Sequence, residues 1–337
     1  MFGWMTEQNY EMIVGVGSAI VDIFSEVEDS VLVDLSLEKG TMSLISREVS
    51  IEVAEHIESL NEQGGGSVAN TMVGIARLGV PSKMVARVEE DVLGLVFEGE
   101  LKFAGVELNP FYVPLSDPLG TGRCFVMVTP DAERTMLTYL GASAGIGELE
   151  MSTLLTSPPP VTYLESYLLD CPDMFAPLCD LAAKSSALGR QVAVSLSDPE
   201  LVKRHRSRLM ELIDSGVSVV FANAEEAANL TDSGDPTFAA AMLGERGISG
   251  AITLGPEGAL GFDQNQMIRL PAHPTDLVDT TGAGDQFAAG WLAGLAKGFD
   301  LEKRTSLGLL CAAEVVSHFG ARPQVDILEL AKKQGLA

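Results

Sequence analysis

An α/β fold is predicted for this chain: three layers, with helices on both faces of a mostly parallel sheet, and a small β lid. Three observations lead there. From about Ser143 onward, apolar runs of strand length alternate with segments of helical periodicity, and such alternation builds a parallel sheet covered on both sides. The 34 glycines fall as single turns between those runs and not in a low-complexity linker, so the 337 residues read as one domain, 1–337. Two stretches of strand character, about 21–46 and 106–140, stand outside the alternation and predict a lid sheet assembled from two excursions.

In chain order, Met12 to Gly17 reads as a first buried strand ending in a glycine turn. Its Gly15-x-Gly17 suggests a dinucleotide fingerprint. Against that, Ile20 stands where the third glycine belongs, and Val21-Asp22-Ile23-Phe24 alternates like a strand instead of opening a helix. After the first lid excursion, Ser67 to Leu78 is predicted as a helix with Val68, Met72, Ile75 and Ala76 on one stripe. The second excursion holds two strand-like runs, 123–129 and 135–140, flanking the turn Pro130-Asp131-Ala132-Glu133. Beyond it, strands are expected at 161–164, 192–196, 217–222 and 250–254, with helices around 173–188 and 237–246. Ligands of such sheets bind beyond the carboxyl ends of the strands.

Composition narrows the function. With 47 acidic against 22 basic residues, the formal charge is -25, a surface that repels nucleic acid and anionic membrane. An anionic nucleotide would need metal and a local field of backbone amides. No apolar run approaches the length of a membrane span. Met1 to Val14 carries Glu7 and Glu11 and lacks the basic-then-apolar pattern of a secretion signal. Cys124, Cys171, Cys179 and Cys311 form no Cys-x-x-Cys pair and read as buried thiols of a reducing compartment. A cytoplasmic setting is expected.

The chemistry concentrates at Asp279-Thr280-Thr281-Gly282-Ala283-Gly284-Asp285, followed by an apolar run from Gln286 to Gly294. Small residues let the backbone approach a ligand, and the helix behind them would point its unpaired amides at an anion. Asp285 is either a cap of that helix or a base that takes a proton from an alcohol. Gly64-Gly65-Gly66-Ser67-Val68-Ala69-Asn70 precedes the predicted helix and ends on an amide that donates and accepts. Asp22 follows the first strand, where a carboxylate can take two adjacent hydroxyls, and Glu165 ends the 161–164 strand; each has an ordinary surface charge as its alternative. On the nucleotide side, Thr253-Leu254-Gly255-Pro256-Glu257-Gly258 is a strand and a glycine-bounded turn, or a plain hairpin. In Asn223-Ala224-Glu225-Glu226, Glu226 can hold Mg2+ through water or serve as a helix-start acid.

These segments resemble the ribokinase-like, or PfkB, carbohydrate and nucleoside kinases. Gly65-Gly66-x-x-Ala69-Asn70 and Asp279 to Asp285 are similar to the family's two signatures. Asn223-x-x-Glu226 and Thr253-Leu254-Gly255-x-x-Gly258 are similar to two more of its motifs, all in family order. The resemblance implies ATP and Mg2+, with Asp285 as the base and the amides of Gly282, Ala283 and Gly284 neutralising the γ-phosphoryl group. It implies that Asp22, Gly65, Gly66, Asn70 and Glu165 bind acceptor hydroxyls. Asn223, Glu226, Thr253, Gly255 and Gly258 would attend the nucleotide. Asp279 and Thr281 lie where many members hold a monovalent cation such as K+, with Gly320-Ala321 completing that site. One departure is that the family's Gly-x-Asp-x-x-Gly appears as Glu89-Glu90-Asp91-Val92-Leu93-Gly94, without the first glycine.

Among family members, the early lid segment and the stretch Thr162 to Leu168 look most like bacterial adenosine-kinase-like proteins. Asp22, Asn70 and Glu165 come with no basic cluster in the sequence, which favours a neutral, hydroxyl-rich acceptor over a sugar phosphate. A purine nucleoside is expected, with ribose or fructose as the alternative and a catalytically silent ligand binder of the same fold as a further one. A base needs an apolar platform; Phe24, Phe125, Met136 and Tyr167 are the candidates, or else lid core. Should the lid expose an apolar face, pairing it between two copies would give a homodimer.

Overall fold

The computed structural model describes residues 11–112, 119–131 and 133–337; Glu7, most of the acidic start, part of the second excursion and Ala132 of its turn lie outside the described residues. Nine strands form the large sheet: β1 (Ile13–Val16), β5 (Ser82–Val88), β6 (Glu107–Tyr112), β9 (Val161–Glu165), β10 (Gln191–Ser195), β11 (Val219–Asn223), β12 (Ser249–Thr253), β13 (Ala259–Phe262) and β14 (Met267–Leu270). Their order is β14-β13-β12-β11-β10-β9-β1-β5-β6, parallel except where β13 and β14 turn back antiparallel at one edge. The predicted strands sit within a residue or two of these.

Helices cover both faces, as the alternation predicts. On one side lie α3 (Ser67–Arg77), α4 (Val92–Phe103), α10 (Ala283–Ala296), α11 (Leu301–Val315) and α12 (Ile327–Lys333), packed through Met72, Phe97, Phe287, Trp291, Leu307 and Ile327. On the other lie α5 (Glu148–Thr156), α6 (Phe175–Ala187), α7 (Pro199–Asp214), α8 (Ala224–Thr231) and α9 (Pro236–Gly244), packed through residues such as Met151, Leu178, Leu209 and Leu243. Central strands buried on both faces read as unbroken apolar runs, which made them legible. Phe221 of β11 meets Trp291 and Phe287 edge to face, at centroid distances of 5.3 and 6.4 Å. These contacts fix α10 against the sheet, and with it the glycine turn at its start.

The lid is a five-stranded sheet, ordered β3-β8-β7-β2-β4, from β2 (Ile20–Glu26), β3 (Met42–Leu44), β4 (Asn61–Gly65), β7 (Gly122–Val128) and β8 (Arg134–Tyr139). Its boundaries differ from the expected 21–46 and 106–140. The first excursion runs on to Gly65, because Asn61-Glu62-Gln63-Gly64-Gly65 pairs antiparallel with β2; this polar, glycine-rich strand has no apolar alternation to announce it. At the other end, β6 pairs parallel with β5 and so belongs to the large sheet. It is an edge strand, where Pro110 costs no ladder bond. Two lid helices also escaped the sequence reading, α1 (Asp29–Asp34) and α2 (Arg47–His56). Leu32 and Val53 from them pack on Ile23, Phe125, Met127 and Leu137, covering that side of the lid sheet within the chain, while Met42, Leu44, Ile51 and Leu60 of the lid stay exposed.

Glu89 and Asp91 show how the chain manages without the expected glycine. Asp91 caps α4, accepting from Gly94 N at 2.7 Å, and also takes Thr121 N at 2.8 Å. Glu89, buried, accepts the amide of Gly120. Both carboxylates thereby clamp the segment that enters β7.

Candidate active site

Asp285 is the third residue of α10, one turn too far in to be its cap; Gly282 holds that place with φ 75°. A Cβ on Gly282 would stand 2.6 Å from Ala321, so only glycine lets the turn pack there. Gly284 has open space beside it, which leaves the start of α10 accessible to a ligand. The amide of Gly284 and the helix dipole favour an anion here, while Ala283 N already donates to Thr280 O at 3.2 Å.

Both oxygens of Asp285 bind side chains of α3 rather than the amides of its own helix. Ser67 Oγ donates to Oδ1 at 2.7 Å and Asn70 Nδ2 to Oδ2 at 3.1 Å. Burial raises its pKa, while these two hydrogen bonds and the Arg322 guanidinium oppose the rise. Gln286, the next residue, donates to Asn70 O at 2.9 Å and Ala321 O at 3.0 Å, tying α10 to both neighbours.

Asp22 lines a cavity with Phe24, Gly64, Asn70, Met136 and Thr281, and Asp285 lies behind Asn70, to which it is hydrogen-bonded. A Cβ on Gly65 would stand 2.4 Å from its carboxylate, so that glycine makes room for the acid; Gly66, at φ 91°, precedes α3 as its N-cap. The Asp22 carboxyl is pushed up to about 7, chiefly by burial and further by the negative charges of Asp285 and Glu100, with Arg322 acting the other way.

Glu165 has a structural role beside the expected hydroxyl binding. It is 2% exposed, and its two oxygens accept Ser18 N at 2.8 Å and Val68 N at 3.1 Å. It braces the turn after β1 against the start of α3 and is absent from the cavity lining. Burial pushes its pKa up to about 7.

On the nucleotide side, Asn223 and Glu226 form a reciprocal capping box at the start of α8: Glu226 N donates to Asn223 Oδ1 at 2.8 Å, and Asn223 N to Glu226 Oε2 at 2.9 Å. Glu226 is 5% exposed, and burial pushes its pKa up to about 7. Thr253 to Gly258 is a hairpin turn between β12 and β13, so the simpler alternative describes its backbone. Gly258 is fixed by Leu270 O lying 1.9 Å from where a Cβ would be, whereas Gly255 borders open space.

Asp279 accepts from Thr281 Oγ1 at 2.8 Å and Gly320 N at 3.0 Å, bringing Gly320-Ala321 beside the turn as expected. Sequence reasoning missed the cation on it. Arg134, from β8 of the lid, donates to Asp279 Oδ1 at 2.6 Å and to Thr281 Oγ1 at 2.9 Å, with its guanidinium over Phe319. Arg322 is a second missed residue, and its position directly after Gly320-Ala321 was the available signal. The premise of a site without basic side chains is therefore corrected: two arginines flank it, each compensated by a carboxylate, Asp279 for Arg134 and Glu100 for Arg322. Of the proposed platform, Phe24 and Met136 line the cavity. Phe125 points to the other side of the lid, into its helix-covered core, and Tyr167 packs with the far helical layer. His318 is tied to Glu314 at 3.2 Å.

The sequence pattern described as pfkB family carbohydrate kinase matches residues 29–328. A probable sugar kinase from Rhizobium etli CFN 42 superposes with a TM-score of 0.88 at 34% identity, over 98% of this chain and 100% of that one. Adenosine kinase from Sinorhizobium meliloti superposes with a TM-score of 0.85 at 35% identity, over 97% and 99%. A nucleoside kinase of Methanocaldococcus jannaschii is 27% identical over 79% of this chain and 83% of its own. No helix among the described residues is long and apolar enough to cross a membrane.

Proposed function

We propose that this chain, which belongs to the PfkB carbohydrate kinase family and is a phosphotransferase, moves the γ-phosphate of ATP to the hydroxymethyl group of adenosine or another purine nucleoside. Asp285 takes the hydroxyl proton as the acceptor oxygen bonds to the γ-phosphorus and the bond to the departing ADP oxygen breaks. The amides of Gly282, Ala283 and Gly284 hold the charge of the transferred group. Asp22 and Asn70 engage ribose hydroxyls, with Gly65 and Gly66 giving the sugar close access to the backbone. Arg134 stands where it can leave Asp279 for a phosphate oxygen.

The family implies ATP and usually Mg2+. Mg2+ keeps several waters and binds through one or two carboxylates plus phosphates, which shields the charge that the acceptor oxygen must approach. Glu226, with both oxygens given to Asn223, suits contact with that hydrated ion through water rather than directly. Gly255 offers the nucleotide an uncrowded backbone edge. Asp279 and Thr281 already share a guanidinium, so a monovalent cation there would be an addition to Arg134 and not the site's first positive charge.

The observation that carries the nucleoside reading is the apolar wall of the lid in which Asp22 is set, in the cavity it shares with Asn70. Phe24, Val126 and Met136 line the cavity as part of a larger apolar patch on the lid with Ile20 and Cys124. A purine buries its faces on such a wall, whereas a free sugar, hydroxylated all round, gains little from it. The Sinorhizobium meliloti enzyme, an adenosine kinase by name, supports the same choice. ADP release measured with adenosine, inosine, cytidine, ribose and fructose tests it. Adenosine or another purine nucleoside should exceed the free sugars in kcat/KM by about a hundredfold or more; ribose or fructose leading the series would replace this reading with a free-sugar kinase, toward which the Rhizobium etli relative points.

A further inference from the structure

We infer that Arg322 is a positioning residue for phosphoryl transfer: it orients the Asn70 amide and, through it, the carboxylate of Asp285. The inference rests on Asp285 being the base. Arg322 is 9% exposed and spans two partners. Its Nη1 donates to Glu100 Oε2 at 2.6 Å and its Nε to Asn70 Oδ1 at 3.1 Å. Glu100 Oε2 also accepts Gly64 N at 2.7 Å, anchoring the arrangement to the lid strand β4. A continuous line of hydrogen bonds thus runs from Glu100 to Arg322, to Asn70 and to Asp285.

Direction matters along that line. A guanidinium only donates, so the amide of Asn70 must turn its oxygen toward Arg322. That leaves the NH2 group, and not the oxygen, aimed at Asp285. In the flipped orientation an amide oxygen would face a carboxylate oxygen while NH2 faced the guanidinium, two repulsive contacts in a buried place. Without Arg322 only the carboxylate of Asp285 itself favours the productive orientation, and Ser67 is the one partner of Asp285 that does not depend on it. The guanidinium also contributes positive charge near the base. The other titratable groups coupled to Asp285 are Asp22 from β2 and Tyr163, Glu165 and Tyr167 from β9 and the residues just after it, whose pKa values the charge of Asp285 raises. All of these are acids, which leaves Arg322 as the cation in the set.

The same short segment holds the cradle. Gly320 N binds Asp279 and Ala321 packs under Gly282, so residues 320–322 set the anion seat and the base together.

The test compares Arg322→Met, Arg322→Lys and Glu100→Gln with the wild-type chain, following kcat, KM for ATP, thermal melting and the pH profile of kcat. Arg322→Met should lower kcat by about tenfold to a hundredfold with KM for ATP within about twofold, because only the placement of a general base has changed. Its acidic limb should move to higher pH, as the charge that favours ionised Asp285 is gone. Glu100→Gln should move that limb to lower pH, since Arg322 then acts uncompensated. Arg322→Lys should keep the limb near its wild-type position yet recover little of kcat, because one ammonium cannot serve Glu100 and Asn70 in a fixed fork. In an Asn70→Ala background, Arg322→Met should cost less than about threefold in kcat, as expected for residues acting in series. Wild-type kcat and an unmoved limb in the Arg322 variants, or losses that track melting temperature alone, would overturn the inference. So would full additivity with Asn70→Ala. Should Arg322→Met fail to fold, Arg322→Lys and the limb of Glu100→Gln decide it. If instead Asp285→Asn turns over normally, it is the assignment of the base that fails.

Discussion

Asp22 changes charge within the working range of the molecule. Its carboxyl is raised to about 7 by burial, and only the ionised form accepts two hydroxyl protons at once. Lowering the pH through 7 should therefore raise KM for the acceptor while leaving KM for ATP nearly constant, and Asp22→Asn should give a high acceptor KM with no such dependence. Steady-state kinetics between about pH 5.5 and 8.5 check this, and a pH-independent acceptor KM in the wild type would count against Asp22 as the hydroxyl ligand. Most residues of this site were legible in the chain, because glycine turns and the acids beside them are local patterns. Ser67, Arg134 and Arg322 were not. Their roles depend on partners 218, 145 and 252 positions away, and nothing local distinguishes such an arginine from a surface one. The partners of Glu165 were illegible for the same reason: two distant backbone amides, Ser18 N and Val68 N, donate to its oxygens.

The lid is joined to the glycine turn before α10 by the pair of Arg134 with Asp279, which is largely withdrawn from solvent. Under the proposed function, closure of the lid over the acceptor would keep water from the γ-phosphoryl group. Arg134→Met should loosen that closure, so the ratio of ATP hydrolysis to acceptor phosphorylation should rise severalfold, measured as ADP formed against phosphorylated acceptor. An unchanged ratio would mean that the contact does not hold the lid. Strands buried on two faces and the helix α3 were readable from apolar runs and periodicity. The lid's extent was not, because β4 is polar and glycine-rich, and because β6 looks like its lid neighbours until its pairing with β5 is seen.

Across the whole molecule the excess of acid shapes stability. The carboxyls of Asp22, Glu165 and Glu226 are all raised to about 7 by burial. A raised folded-state pKa contributes stability that is present below the unfolded value, near 4, and lost as pH climbs through about 7. The net charge of -25 acts in the same direction through self-repulsion. Melting by calorimetry without ligands should give a lower Tm at pH 8 than at pH 5.5, and added salt should raise the pH 8 value by screening; a Tm that climbs between those pH values would contradict this. The alternation of the chain announced the three layers, and against the overall acidity the candidate site sets the start of α10 and two arginines. The proposed function rests on Asp285, which faces α3 at the open end of α10. The most direct test is single-turnover phosphorylation by Asp285→Asn with ATP and the acceptor saturating. The rate should fall at least about a hundredfold, or about 2.7 kcal/mol, with ATP affinity changed by less than about threefold; near-normal turnover would contradict Asp285 as the base.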